Sequence, residues 1–152
     1  MVFHLLRNGG FSADEVDTLL NRKSGLYGLS GVNDFRDLHR LIASDTPDAG
    51  AAALALDVYC HRVRKYVGAY LAVLGGADVI AFTAGVGEND AVVRARILDG
   101  LDSLGISIDD GRNRLRSDGA RVISSDTSAV TVLVVPTNEE LAIAKATVAL
   151  VG

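Results

Sequence analysis

The sequence predicts an α/β domain built on parallel strands flanked by helices. Three observations carry that reading. The apolar run Val79-Ile80-Ala81-Phe82 breaks into Gly85 and Gly87, ends on Glu88-Asn89 and gives way to helical spacing. A second run, Val130-Thr131-Val132-Leu133-Val134-Val135-Pro136, meets the polar segment Thr137-Asn138-Glu139-Glu140 and then another helical stretch. The chain has 152 residues, 49% of them hydrophobic, enough for a single domain with a real core. An uninterrupted apolar run suits a strand covered on both faces, so the first run is expected to be an interior, parallel strand. Joined by a right-handed crossover, the two strands lie parallel and bring both polar loops to one edge, where ligands of such sheets bind.

The remaining elements follow in order. Val2 to Leu6 reads as a short amphipathic piece stopped by Asn8-Gly9-Gly10. Ser12 and Glu15 have capping-box spacing and open a helix that runs to about Arg22. The segment from Lys23 to Gly31 has three glycines and no alternation, and reads as an apolar loop that packs on something. Asn33 or Asp34 caps a short helix through Ile42. Thr46-Pro47-Asp48 supplies a cap hydroxyl, a proline for the first helical position and an acid for the dipole, so a long helix is expected from there to Gly75-Gly76. Its apolar stripe passes through Leu56, Tyr59, Cys60, Val63, Val67, Tyr70 and Leu74, and core is expected over a partner-docking surface. After the first strand, Asn89 is expected to cap a helix with Val93, Ile97, Leu101 and Leu104 inward, Arg94, Arg96 and Asp102 outward, and Gly105 as its stop. Ile106 to Ala129 reads as a small hairpin or two short edge strands, and Leu141 to about Leu150 as the last helix.

Composition narrows the function. A net charge of −4 with scattered lysines and arginines argues against a nucleic-acid surface. A single cysteine, Cys60, excludes a disulfide framework and a cysteine zinc site, suits a reducing compartment and is expected to be buried. The start carries no signal-peptide pattern, and no apolar stretch is long enough to span a membrane uninterrupted, so a cytoplasmic protein without membrane partners is expected.

Chemistry is concentrated in three places. Gly85 and Gly87 remove side chains where a flat or charged group could approach the backbone, and a helix after Asn89 would favour anions at its start. Asp90 stands where a dinucleotide fingerprint needs a third small residue, and no Gly-Lys-Ser or Gly-Lys-Thr occurs, so neither standard phosphate loop is present. Taken by itself this loop reads first as an ordinary tight strand-to-helix turn, and two glycines alone are a weak signal for a ligand. In the second loop Thr137 and Glu140 have capping-box spacing, which leaves Glu139 free to hold a hard cation such as Mg2+ or simply to favour the helix dipole. Asp34 and Arg36 can form a surface salt bridge, or Arg36 can serve a phosphate or a flat ring. His4, His39 and His61 show no metal-site spacing and are expected to be structural or solvent-facing.

The segments Asp34-Phe35-Arg36-Asp37, Phe82-Thr83-Ala84-Gly85-Val86-Gly87-Glu88-Asn89 and Pro136-Thr137-Asn138-Glu139-Glu140, with Asn21 to Leu26 and Arg64 to Tyr70, resemble acetate kinase in the same order over nearly the whole chain. The resemblance is to the C-terminal, nucleotide-binding part of the family, the N-terminal half being absent. It implies the actin-like ATPase (ribonuclease H-like) fold and phosphoryl transfer from ATP to acetate, giving acetyl phosphate. It also implies that Asp34, Phe35 and Arg36 contact adenosine, that Gly85, Val86, Gly87, Glu88 and Asn89 form the adenine and ribose pocket, and that Glu139 is the magnesium-linked carboxylate. The family's acetate pocket and catalytic residues have no counterpart here, so the chain is expected to be a piece of a longer enzyme, inactive alone, with a homodimer implied for the whole. A non-catalytic nucleotide-binding or dimerisation module, and a propionate or butyrate kinase fragment, remain as alternatives.

Overall fold

The computed structural model describes residues 1–151, apart from the side chain of Glu139. The chain divides into two units, Met1–Arg62 and Val63–Gly152.

The first unit is helical. α1 (Val2–Asn8) closes where the Gly9 N–H donates to the carbonyls of His4 and Leu5. α2 (Ala13–Arg22) opens on the expected capping box: Ser12 Oγ accepts from the Glu15 N–H at 3.3 Å and the Ser12 N–H donates to Glu15 Oε2 at 2.8 Å. The expected apolar loop is instead a short helix, α3 (Gly25–Ser30). Two of its three glycines mark the ends, Gly25 at φ +62° and Gly31 at φ +76°, and the Ser24 and Ser30 hydroxyls donate to the carbonyls of Leu19 and Leu26. Turn chemistry at the boundaries was read as loop throughout. Tyr27 and Leu29 stay exposed rather than packed.

α4 (Phe35–Ile42) is capped by Asp34, whose carboxylate accepts from the Arg36 N–H at 2.7 Å. The long helix α5 (Ala49–Leu74) starts later than expected, because Thr46-Pro47-Asp48 forms the turn before it and the Asp48 carbonyl accepts from the Ala52 N–H. Val16, Leu38, Ala52, Ala55, Leu56 and Cys60 form the core, and Phe35 stacks edge-on against Tyr59 with ring centroids 4.9 Å apart. The apolar stripe of α5 is therefore core only at its beginning. Tyr70 and Leu74, expected in the core, are 63% and 71% exposed.

In the second unit α5 ends at Gly75 and Gly76, both at positive φ. The sheet comprises β1 (Val79–Phe82), β2 (Arg121–Val122) and β3 (Thr131–Val134) in the order β1-β3-β2. β1 and β3 are parallel, with Val79 opposite Thr131 and Phe82 opposite Val134. β2 runs antiparallel to β3, pairing Arg121 with Val134. β1 was expected in the interior, yet among the described residues it is an edge strand with Val79 half exposed, and β3 is central, with Val132 and Val134 fully buried. An apolar run reports a tendency to be covered; it does not specify which neighbours the chain supplies.

Between β1 and β2 lie α6 (Ala84–Asn89), α7 (Ala91–Leu98), a 3₁₀ turn at Asp102–Leu104 and α8 (Asp110–Arg114). α7 stops earlier than expected; Gly100 and Gly105 both adopt φ +76°, so Gly105 closes the 3₁₀ turn and Leu104 points out. The Arg64 guanidinium donates to the Ile97 carbonyl at 3.0 Å and to that of Arg96, which caps the carboxyl end of α7. The expected hairpin over 106–129 is reduced to β2 and an Ile108–Ser124 bridge, because Asp109 caps α8 where the acidic, glycine-containing segment was read as turn punctuation. α9 (Glu139–Val151) ends the described chain. Among the described residues no helix is long and apolar enough to cross a membrane.

Candidate functional site

Because Phe82 and Val134 are register partners, the segments that leave β1 and β3 start side by side at the carboxyl edge of the sheet. This is where open α/β sheets place ligands.

Leaving β1, the chain passes Thr83 and enters α6 through Ala84 at φ +58°, the one non-glycine residue with positive φ among the described residues. A left-handed alanine costs about 1–2 kcal/mol, and such strain is typical of functional segments. Ala84→Gly is therefore expected to stabilise the chain by about 0.5–1 kcal/mol in urea denaturation, opposite in sign to an ordinary helical Ala→Gly change.

The segment from Gly85 to Asn89 was expected as an open loop with Asn89 capping the next helix. It is helical, and Asn89 closes it from within by donating from Nδ2 to the Gly85 carbonyl at 2.9 Å. The cap of α7 is Asp90, whose carboxylate accepts from the Val93 N–H at 2.9 Å. Two adjacent cap-forming residues compete for that position, and sequence spacing does not separate them. The glycines also differ from each other. A Cβ at Gly87 would lie 3.3 Å from the Phe82 carbonyl carbon, so Gly87 serves close packing of α6 on β1, whereas nothing lies within 4 Å of a Cβ at Gly85.

Glu88 joins the two loops. Its Oε1 accepts from both the N–H and the hydroxyl of Thr137, each at 2.8 Å. Thr137 is thus unavailable for the expected capping box with Glu140; Asn138 caps α9 instead, accepting from the Leu141 N–H at 2.8 Å. The backbone bond from Thr137, then its hydroxyl, hold the Glu88 carboxyl below the ordinary glutamate range. A carboxyl depressed in the folded state contributes stability that is complete above its unfolded value and is lost as pH falls through the lower folded value. A carbon-detected NMR titration is accordingly expected to place the Glu88 midpoint below that of a glutamate in a denatured peptide, and Thr137→Val to move it back up.

Arg94 holds α6 from behind. Expected on the outer face, it is 2% exposed. Its guanidinium donates to the carbonyls of Gly87 (2.8 Å) and Glu88 (3.0 Å) and to both the side-chain oxygen (2.8 Å) and the carbonyl (2.6 Å) of Asn113. Asn113, itself buried, returns a bond from Nδ2 to the Ala91 carbonyl at 2.9 Å. Sequence reasoning missed this network, although Arg94 stands three and four positions before Ile97 and Leu98, on the buried stripe of α7.

Of the other proposed site residues, Asp34, Phe35 and Arg36 belong to the first unit, and the side chain of Glu139 lies outside the described residues. Asp34 and Arg36 belong to the first unit and form a two-pronged pair there at 2.9 and 3.1 Å, with Arg36 86% exposed on its side chain. The Arg36 side chain, then its N–H, hold the Asp34 carboxyl far below its ordinary range. Glu139 is the first residue of α9, next to Asn138 at the carboxyl edge, and its side chain lies outside the described residues. Among the described residues no three His, Cys, Asp or Glu side chains gather as a metal cage. A cavity of about 400 Å³ lined by Ala84, Gly85, Glu88, Thr137, Asn138 and Glu140 offers oxygen donors of the kind that suit a hard cation carried on phosphates.

A sequence model of the acetokinase family matches residues 1–145. The chain belongs to the acetokinase family. Acetate kinase of Streptomyces coelicolor is 56% identical over 152 residues, which is 100% of this chain and 37% of that protein. The crystal structure of Porphyromonas gingivalis acetate kinase superposes with a TM-score of 0.84 at 39% identity, covering 99% of this chain and 37% of that one. A propionate kinase from Francisella tularensis gives 0.78 at 36% identity, covering 92% and 35%. The fold of this acetokinase-family chain is thus that of the acetate and propionate kinases, of the actin-like ATPase type, and the chain spans little more than a third of the length of these relatives.

Proposed function

We propose that the chain is the C-terminal, nucleotide-binding portion of a cytoplasmic phosphotransferase that moves the γ-phosphoryl group of ATP to a small carboxylate, acetate in the first instance. The observation that carries the reading is the Glu88–Thr137 link, which ties together the segments leaving two parallel strands. Gly85, Val86, Gly87, Glu88 and Asn89 then line the adenine and ribose pocket, where the bare edge at Gly85 admits a flat ring. Asp34, Phe35 and Arg36, in the first unit, are assigned to adenosine contact on the family resemblance, and Glu139 to Mg2+.

Phosphoryl transfer depends on positioning and charge neutralisation more than on covalent help from the protein. The chain's share is a rigid nucleotide seat: Arg94 fixes the backbone of α6, and Asn89 closes it from the other side. Mg2+ bound through the carboxylate would neutralise charge on the nucleotide phosphates. The acceptor pocket belongs to the part of the enzyme outside this chain, so propionate or butyrate stays open as the acceptor. In the complete enzyme two copies associate, and the exposed Tyr70, Val73 and Leu74 supply an apolar surface for that contact. The chain alone is expected to bind ADP and yield no acetyl phosphate in a hydroxamate assay; robust turnover would refute the division of labour.

A further inference from the structure

We propose that the second unit carries an anion subsite of its own: a cavity of about 550 Å³, walled by Arg94, Arg114, Arg116 and Arg121, that takes a small oxyanion of the phosphate class. The proposal stands independently of the adenosine contacts.

Four guanidinium groups line this cavity against two carboxylates, Glu88 and Asp118. Glu88 is already committed to Thr137. Arg94 spends its donors on the carbonyls of Gly87, Glu88 and Asn113 and on the Asn113 side chain, so it contributes charge and a fixed wall. Arg114 pairs with Asp110 at 3.5 Å. Arg121 is different: its Nε lies buried without an acceptor among the described residues. That N–H is closed off from the cavity itself, so what Arg121 brings to the wall is the charge of its guanidinium. Burial, and then the charge of Arg121, press the Arg94 guanidinium toward losing its proton, as expected when two cations share a wall.

The lining also limits what the ligand can be. It has no aromatic ring, and its apolar members are Ala91, Leu115 and Pro136, which offer no platform for stacking a base. Arginine forks match the oxygens of phosphate in a planar, two-pronged way. The oxyanion is either a free phosphate or the phosphate end of a nucleotide.

The test is an amide-resolved NMR titration of the full chain with inorganic phosphate, pyrophosphate, ADP and adenosine. Phosphate and pyrophosphate are expected to shift the Ser117, Asp118 and Arg121 amides saturably. Arg121→Gln should weaken that binding about tenfold, the scale of one charge-assisted hydrogen bond. Arg116→Gln, at an exposed position, should weaken it several-fold and keeps the test open if the first variant does not fold. Shifts of these amides by ADP and not by adenosine place a nucleotide's phosphates here, whereas ADP acting only on 85–89 leaves a site for the free anion. Absence of saturable shifts with both inorganic anions, or unchanged affinity in either folded variant, overturns the proposal.

Discussion

Replacing Arg94 by methionine is expected to cost about 3–5 kcal/mol in chemical denaturation, a large share of the stability of a domain this size. Methionine fills part of the volume but donates nothing, leaving the carbonyls of Gly87, Glu88 and Asn113 and the Asn113 side-chain oxygen without the partner they have now. Each such buried orphan costs about 1–3 kcal/mol, less whatever water recovers. Arg94→Lys should fall between wild type and methionine, since one ammonium cannot span two carbonyls of α6 and Asn113 at once. Hydrogen exchange should show the loss as faster opening of α6, with the amides of β3 least affected. ADP affinity should drop in parallel if α6 is the nucleotide seat.

Asn113→Ala is expected to produce the second large effect, about 2–4 kcal/mol. It removes the acceptor from a buried guanidinium N–H and the donor to the Ala91 carbonyl, cutting the tie between α8 and the start of α7. The two sites share partners, so their effects should not add; in a double-mutant cycle the Arg94→Met, Asn113→Ala chain should be more stable than the two losses together imply, by about 1–2 kcal/mol. Additive losses would mean that the residues stabilise the unit independently.

The parts of this fold that were legible in the sequence are those where one local rule acts alone. The capping box at Ser12 and Glu15 and the stop at Gly75-Gly76 follow from local chemistry and are present, as is the parallel pairing that a right-handed crossover predicts; of the two candidate caps Asn33 and Asp34, Asp34 is the one used. Where two rules compete, the reading slipped. Asn89 and Asp90 are both good caps, and the internal bond from Asn89 to Gly85 settled the choice. Thr137 could cap α9 or bond Glu88, forty-nine positions away, and a bond that distant has no trace in local spacing. Arg94 was assigned to the surface because charge usually is; its position on the stripe of Ile97 and Leu98 was the available signal. The edge position of β1 and the exposed end of α5 have no such local competitor: an apolar pattern records a tendency to be buried and not what does the burying.

Isothermal calorimetry of the full chain with ADP and Mg2+ tests most directly whether the carboxyl edge of β1 and β3 is a nucleotide seat. Wild type should give a saturable heat with one site per chain, and Asn89→Ala, which frees the Gly85 carbonyl and slackens α6, should weaken it about tenfold while the thermal midpoint stays within a few degrees. No heat from wild type, or an affinity indifferent to Asn89, would contradict the assignment.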